Sequence, residues 1–460
     1  MQMNNYVVAY NNVNLLVGNN TLDNTWLKKK RNILIKEKRK NNFYQIYKIN
    51  MSISQYNSDR FISWLVENGA YVNSKSSWGR SSHPCYVSNE TFDEEEFIGR
   101  GLIASRNILK NEKIIEISEN LMFDKFEHNL EINSNGSDNY SDLAIKLLVE
   151  LFKNKKSFWF PYIGILPEEY DLKLLFRWPL KELFFIKGSR LSKASDYLKK
   201  KLKAQYEMVN KEVFQRNRLL YPSKIFNYQN WEWSMSILLS RTISLQETKK
   251  VVLIPYIDLL NHNPFSSSFI SYRKIPLSDS KEIVVYSDKN CNKFDQLYIS
   301  YGQKSNLELL NLYGFIAERN PYDSVIIRIS MSPKDIFFKE KKSFLFSNKK
   351  FFYNSYPIFL YKYPDEMIEF IKICLFNTNI NDKNFNLNKI ENYDYTKIIK
   401  SCIVTVIEKS LNSNYNDYEN LRNIMLKENL LHISDNQKIS IKYNALEKKI
   451  LNRFLEQIKI

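Results

Sequence analysis

The apolar positions along the chain change period several times. Phe61, Ile62, Trp64, Leu65 and Val66 recur at helical spacing and stop near Gly69, which predicts a short amphipathic helix. Strand-like runs follow at Gly101–Ser105 and Lys113–Ile117, with a turn at Lys110-Asn111 between them. Helical spacing resumes over Ser141–Lys153 and through most of 168–248, most clearly in Asp196–Gln215 and Trp231–Thr242. Strand signals return at Val251–Ile254, Phe269–Tyr272, Glu282–Tyr286 and Gln296–Ser300; a helix over Asn306–Leu312 and a strand over Ser324–Ser330 come next. The rest reads as helical, clearest in Asp365–Phe376, Tyr395–Leu411, Asp417–Lys427 and Asn436–Ile458. A β region interrupted by a helical block and followed by a helical region predicts an α+β chain with a separate C-terminal domain.

Composition narrows the class. The chain has 460 residues, 44% hydrophobic and 14% aromatic, enough apolar surface for more than one core. It holds no run of 18 apolar residues, so the pattern predicts no membrane span. The net charge of +17 has two readings: attraction to an acidic partner, or the Lys- and Asn-rich composition of the whole chain. Because the charge is spread rather than gathered in one motif, the compositional reading leads. Residues 1–50 form an Asn/Lys-rich extension with basic runs at Lys28–Arg31 and Lys36–Lys40. These runs read as a solvated tail, with a nuclear or organelle address or a nucleic-acid contact as alternatives. Cys85, Cys291, Cys374 and Cys402 show no C-x2-C spacing, and no H-E-x-x-H occurs, so neither a zinc site nor a disulfide framework is predicted. A reducing compartment, cytoplasmic or nuclear, is the corresponding expectation.

Three short segments carry candidate chemistry. Gly99-Arg100-Gly101-Leu102-Ile103-Ala104 matches the G-x-G-x-x-A string of dinucleotide sites, yet an acidic loop precedes it and strand-like residues follow. A glycine turn at which backbone approaches a ligand fits it better than a phosphate-binding helix start. Ile254–His262 is an apolar stretch that ends abruptly in Asn261-His262, with Pro264 beyond; alone it reads as a turn. Ile299–Asn306 and Leu312–Phe315 place two Tyr-Gly pairs around a short helix, which alone reads as a strand end and a helix C-cap glycine.

Taken in order, "GRGLIASRNI" (99–108), "SFWFPYIGILP" (157–167), "SRTI" (240–243), "PYIDLLNH" (255–262) and "ISYGQKSNLELLNLYGFI" (299–316) resemble the SET-domain methyltransferases of the Rubisco large-subunit methyltransferase type. The resemblance covers about 59–330, and "YNDYENLRNI" and "KYNALEKKILNRFL" extend it more loosely to that group's helical substrate-binding domain. It implies a SET-type knotted β fold at 51–330, split by a helical insertion at about 140–248, and an all-α domain at 331–460. A monomer is expected, and the cysteine spacing leaves out the Cys-rich, zinc-binding segment that follows the domain in other SET proteins.

The activity implied is transfer of a methyl group from S-adenosyl-L-methionine to a lysine of a protein substrate, with no metal. Tyr301 is the catalytic tyrosine by this resemblance. Asn261, His262 and Asp258 form the cofactor clamp, Ile98, Gly99 and Arg100 supply backbone contacts, and Arg241 meets the cofactor carboxylate. Tyr313 and Phe315 line the lysine channel, although Phe315 reads equally as core. One relative of this group methylates histidine in actin and carries a polar residue two places after the motif arginine. Ile243 stands there in this chain and cannot hydrogen-bond an imidazole, which favours lysine. The alternatives are a histidine methyltransferase of that kind and a catalytically silent SET-like binding protein.

Overall fold

The computed structural model describes residues 57–72, 83–93, 96–124, 139–187, 189–245, 247–275, 280–347, 355–375, parts of 400–408, and 434–459. The chain divides into residues 1–61 and 62–460, and only helical residues 57–61 of the first unit are described. The extension at 1–50 and the helix expected at Asp417–Lys427 lie outside the described residues, as does most of the one expected at Tyr395–Leu411. Apart from the helix that ends at 67, the strands and helices named below belong to the second unit.

Glycine and asparagine end several elements as the pattern predicts. The first helix stops at 67, and Gly69 closes it with a φ of 82°, where a side chain would be strained. Asn111 takes a φ of 64° in the turn before β3 (Lys113–Ser118). The β region is built from β1 (Cys85–Asp93), β2 (Glu96–Ala104) and β3, then β4 (Ile243–Leu245), β5 (Lys250–Val252), β6 (Asn261–His262), β7 (Phe269–Lys274), β8 (Lys281–Tyr286) and β9 (Gln296–Ile299). One sheet has the order β1-β2-β9-β6 and another β3-β8-β7, while β4 and β5 form a two-stranded ribbon. Ile115, Ile117, Ile283 and Val285 are buried on the second sheet and anchor it in the core.

Two departures from the sequence pattern bear on the site. The acidic residues at 93–96 do not open a loop that leads into a glycine turn. They join β1 to β2, and Gly99-Arg100-Gly101 lies inside β2. The register of β1 against β2 shifts between Ser88 and Thr91 and again at Phe92, a bulge that lets Gly99 adopt a φ of 92° within the strand. Strand alternation is hard to see in sequence across such a bulge.

The helical insertion carries α1 (Asn139–Lys153), α2 (Phe160–Ile163), α3 (Leu180–Phe185), α4 (Arg190–Val209) and α5 (Tyr228–Arg241). Its apolar stripes are those of amphipathic helices: Leu143, Ala144, Leu147 and Leu148 on α1, and Trp231, Met235 and Leu238 on α5, are buried. The α5 helix begins at an Asn227 cap that accepts the Asn230 N–H at 2.9 Å, and it ends at Arg241. After β9 comes α6 (Asn306–Tyr313), opened by a Ser305–Glu308 capping box and closed by Gly314 at a φ of 85°. A Cβ at Gly314 would come within 2.8 Å of the Lys173 carbonyl oxygen, so the close approach of the insertion requires glycine there.

The C-terminal region contains β10 (Ser324–Arg328), α7 (Phe338–Ser347), β11 (Ser355–Phe359), α8 (Asp365–Leu375) and α9 (Asp435–Lys459). Expected to be all-helical, it includes the strand β11, which pairs antiparallel with β10 and sets Pro357 opposite Ile326. Proline hides the strand in sequence and is tolerated in a two-stranded edge. Val325, Ile327, Tyr356 and Ile358 share one core with Met367, Phe370, Leu451 and Phe454.

Candidate active site

Sheet order brings the three motifs together. β2 pairs antiparallel with β9 through Leu102↔Leu297, and β9 pairs parallel with the short β6 through Asn261↔Tyr298 and His262↔Ile299. Gly99-Arg100-Gly101, Asn261-His262 and Tyr301 thus meet at one end of a single sheet, although about 200 residues separate the first from the last.

Tyr301 is held from both ends. Its backbone N–H donates to His262 Nδ1 at 3.0 Å, and its hydroxyl donates to the Leu260 carbonyl at 2.8 Å. Its ring stacks on His262 at 5.0 Å and on Tyr313 at 4.8 Å. Phe315 lies 6.0 Å from His262 and 6.3 Å from Tyr313, so four aromatic rings form one cluster. Burial sets their protonation. The Tyr301 hydroxyl is pushed up by desolvation, Tyr313 is raised to about 12 by the same cause, and His262 is lowered to about 4, chiefly by desolvation. At neutral pH the cluster holds two protonated phenols and a neutral imidazole.

Beside this cluster lies a polar seam. Asn261 Nδ2 donates to the Arg100 carbonyl and to Thr91 Oγ1, both at 3.3 Å, and Thr91 Oγ1 donates to the Gly99 carbonyl at 2.8 Å. A Cβ on Gly101 would sit 2.6 Å from Asn261 Nδ2, so only glycine leaves room for that amide. Asp258 is presented by the turn Ile257–Leu259, set by Tyr256 at a φ of 76° whose hydroxyl donates to the Val72 carbonyl at 2.9 Å. Arg241 Nη1 reaches back from the end of α5 to the Asp258 carbonyl at 3.0 Å and to Asp258 Oδ2 at 3.3 Å. Arg100 donates to the Ile165 carbonyl at 2.6 Å, and desolvation, then the nearby Arg241 charge, lower it to about 10, which still leaves it cationic at neutral pH.

Of the residues singled out in sequence, Gly99, Arg100, Arg241, Asp258, Asn261, His262, Tyr301, Tyr313 and Phe315 fall within these two linked groups. Ile98 precedes Gly99 on β2 with 40% of its surface exposed. Ile243 belongs to a different element from the ring cluster: it opens β4, half-buried and opposite Val252. Sequence reasoning passed over Thr91 and Tyr162 and gave Gly101 no role of its own. Tyr162 and Gly101 sit inside the family-like segments 157–167 and 99–108, whereas Thr91 gives no signal because the bulge that turns it inward cannot be seen in sequence. Among the described residues, no group of three or more His, Cys, Asp or Glu could hold a metal ion. No helix among them is long and apolar enough to cross a membrane.

Residues 99–302 match the SET domain family. The Rubisco large-subunit N-methyltransferase of Nicotiana tabacum is 27% identical over 252 residues, covering 53% of this chain and 50% of the relative. The actin-histidine N-methyltransferase of Gallus gallus is 28% identical over 298 residues, covering 62% of this chain and 46% of the relative. The chain thus spans about half the length of these curated relatives. A crystal structure of the SET domain of LSMT bound to lysine and AdoHcy superposes with a TM-score of 0.73 at 22% identity, over 88% of this chain and 91% of that one. The chain shares that fold over most of its length, and residues 99–302 are a SET domain similar to those of the Rubisco large-subunit methyltransferases.

Proposed function

We propose that this protein is an S-adenosyl-L-methionine-dependent protein-lysine N-methyltransferase. The observation that carries the reading is the convergence of the Tyr301 hydroxyl, the neutral aromatic cluster and the polar seam of Asn261, Arg241 and Asp258 at one sheet end. The relatives point the same way, since one is named for methylation of the Rubisco large subunit and another for aldolase-lysine methylation.

The residues present fit the cofactor. Arg241 uses Nη1 on Asp258 and has a further guanidinium edge for a carboxylate, and Asn261 offers an amide beside the Gly99-Arg100 backbone. Gly99, at its positive φ, exposes backbone where a side chain would stand in the way. The bound cofactor supplies a methyl group already activated by the positive sulfur. The protein then has to align the amine and exclude water. Tyr301, Tyr313, Phe315 and neutral His262 surround that path with apolar faces, which favours an uncharged lysine amine over an ammonium ion. The Tyr301 hydroxyl stays protonated and is therefore a fixed dipole at the reacting centre rather than a base.

The histidine reading has one specific support, the actin-histidine methyltransferases among the relatives. Ile243 weighs against it, because an aliphatic side chain offers no partner to an imidazole nitrogen. Incubation of the purified chain with methyl-labelled S-adenosyl-L-methionine and a cell lysate tests the proposal. Label in a protein band supports it, and absence of any protein label across lysates contradicts it.

A further inference from the structure

One fully enclosed polar group beside the site has no part in the mechanism above. Tyr162, in the short helix α2 of the insertion, is 0% exposed. Its hydroxyl donates to Asp258 Oδ2 at 2.9 Å. That same oxygen takes Arg241 Nη1 at 3.3 Å, while Asp258 Oδ1 is buried with no hydrogen-bond partner among the described residues. Everything that orients the Asp258 carboxylate through hydrogen bonds is therefore gathered on one oxygen, in two bonds. One comes from Arg241, which Asp258 itself has to hold. The other comes from Tyr162, whose ring is fixed in the core edge-on to Trp159 at 6.5 Å.

We propose that Tyr162 is a positioning residue that acts through Asp258 to hold Arg241 with its outer guanidinium edge turned to the cofactor's carboxylate. This rests on the functional reading above. Being fully buried, Tyr162 touches neither substrate nor cofactor; its hydroxyl fixes the carboxylate plane, and the carboxylate fixes the inner edge of the guanidinium. A planar fork captures a second carboxylate only if its own plane is set beforehand, since two parallel N–H donors must both point correctly. Without the Tyr162 hydroxyl, Asp258 keeps a single orienting partner and turns with Arg241 instead of against it. Desolvation and the Asp258 charge both hold the phenol protonated, so it is a donor at every working pH.

The test compares two ligands that differ only in the group at issue, S-adenosylmethionine and its decarboxylated form, which retains adenosine, sulfonium and amine. Calorimetry on the full chain and on Tyr162→Phe is expected to show S-adenosylmethionine bound roughly tenfold more weakly by the variant, with the decarboxylated ligand changed by less than about twofold. In an Asp258→Asn background the same Tyr162→Phe change is expected to weaken S-adenosylmethionine by less than about twofold, because the hydroxyl then has no carboxylate to steer. Equal losses for both ligands would mark Tyr162 as a core residue only and overturn the inference, as would an unchanged affinity for S-adenosylmethionine. Failure of the unaltered chain to bind S-adenosylmethionine would instead remove the functional reading, and this inference with it.

Discussion

The Tyr301 backbone N–H donates to His262 Nδ1 at 3.0 Å. This bond fixes the tautomer of His262, since Nδ1 must carry a lone pair and any ring proton of the neutral form sits on Nε2. It also ties the two motifs that lie 39 residues apart in sequence. Protonation of His262 would break it, so the local link between the Asn261-His262 strand and the Tyr301 segment depends on pH.

Stability should therefore rise with pH through the range in which the folded and unfolded chains differ in protonation. His262 titrates near 4 when folded, against 6.5 for an ordinary histidine. The unfolded chain binds the extra proton between those values, and this contribution to stability is complete above about pH 6.5 and lost as pH falls toward 4. Thermal melts at stepped pH are expected to show the native chain losing more stability across that window than His262→Asn. Parallel curves for the two proteins would contradict the assignment.

Removing the Tyr301 hydroxyl tests where its effect falls. Tyr301→Phe keeps the rings stacked against His262 and Tyr313 but deletes the donor to Leu260. Turnover is expected to fall roughly 10²–10³-fold, the range for a single electrostatic donor, while cofactor affinity changes by less than about threefold. Single-turnover kinetics beside a binding titration separate the two effects.

Gly99 and Gly101 are expected to fail in different ways. A Cβ at Gly99 meets nothing within 4 Å, but the φ of 92° strains any other residue, so Gly99→Ala should cost about 1–2 kcal/mol of stability. At Gly101 a Cβ would meet Asn261 Nδ2 at 2.6 Å and Thr91 Cγ2 at 3.0 Å. Gly101→Ala should displace the Asn261 amide and weaken cofactor binding at least about tenfold. Denaturant unfolding and calorimetry on both variants check the pair.

In the C-terminal region, Lys341 is buried at 1% exposure, with Nζ 2.7 Å from Asp335 Oδ2 and 2.9 Å from the Cys374 carbonyl. Asp335→Ala leaves that charge without its counter-ion and is expected to cost about 3 kcal/mol, whereas Lys341→Met should be near neutral. Urea midpoints of the two variants give the comparison.

The helices of the insertion and the strands around Tyr301 were legible in sequence because their periods are regular and their ends are marked, as Ser305, Asn227 and Gly314 show. Order of motifs and resemblance together pointed to Asn261, His262, Arg241 and Tyr301. The features that stayed hidden did so for physical reasons. The bulge opposite Gly99 breaks strand alternation, so β1 and the inward turn of Thr91 left no pattern. Pro357 disguised β11. Tyr162 looked like one aromatic among many, since its hydrogen bond to Asp258 spans 96 residues and no local spacing encodes such a contact.

The most direct test of the central claim is the identity of the modified side chain. Complete hydrolysis of protein labelled by this chain, followed by chromatography against methylated amino-acid standards, is expected to return the label in N-methylated lysine, and to return at most about one hundredth of it when Tyr301→Phe is used for the same time. Label recovered as methylhistidine, or undiminished with Tyr301→Phe, would contradict it.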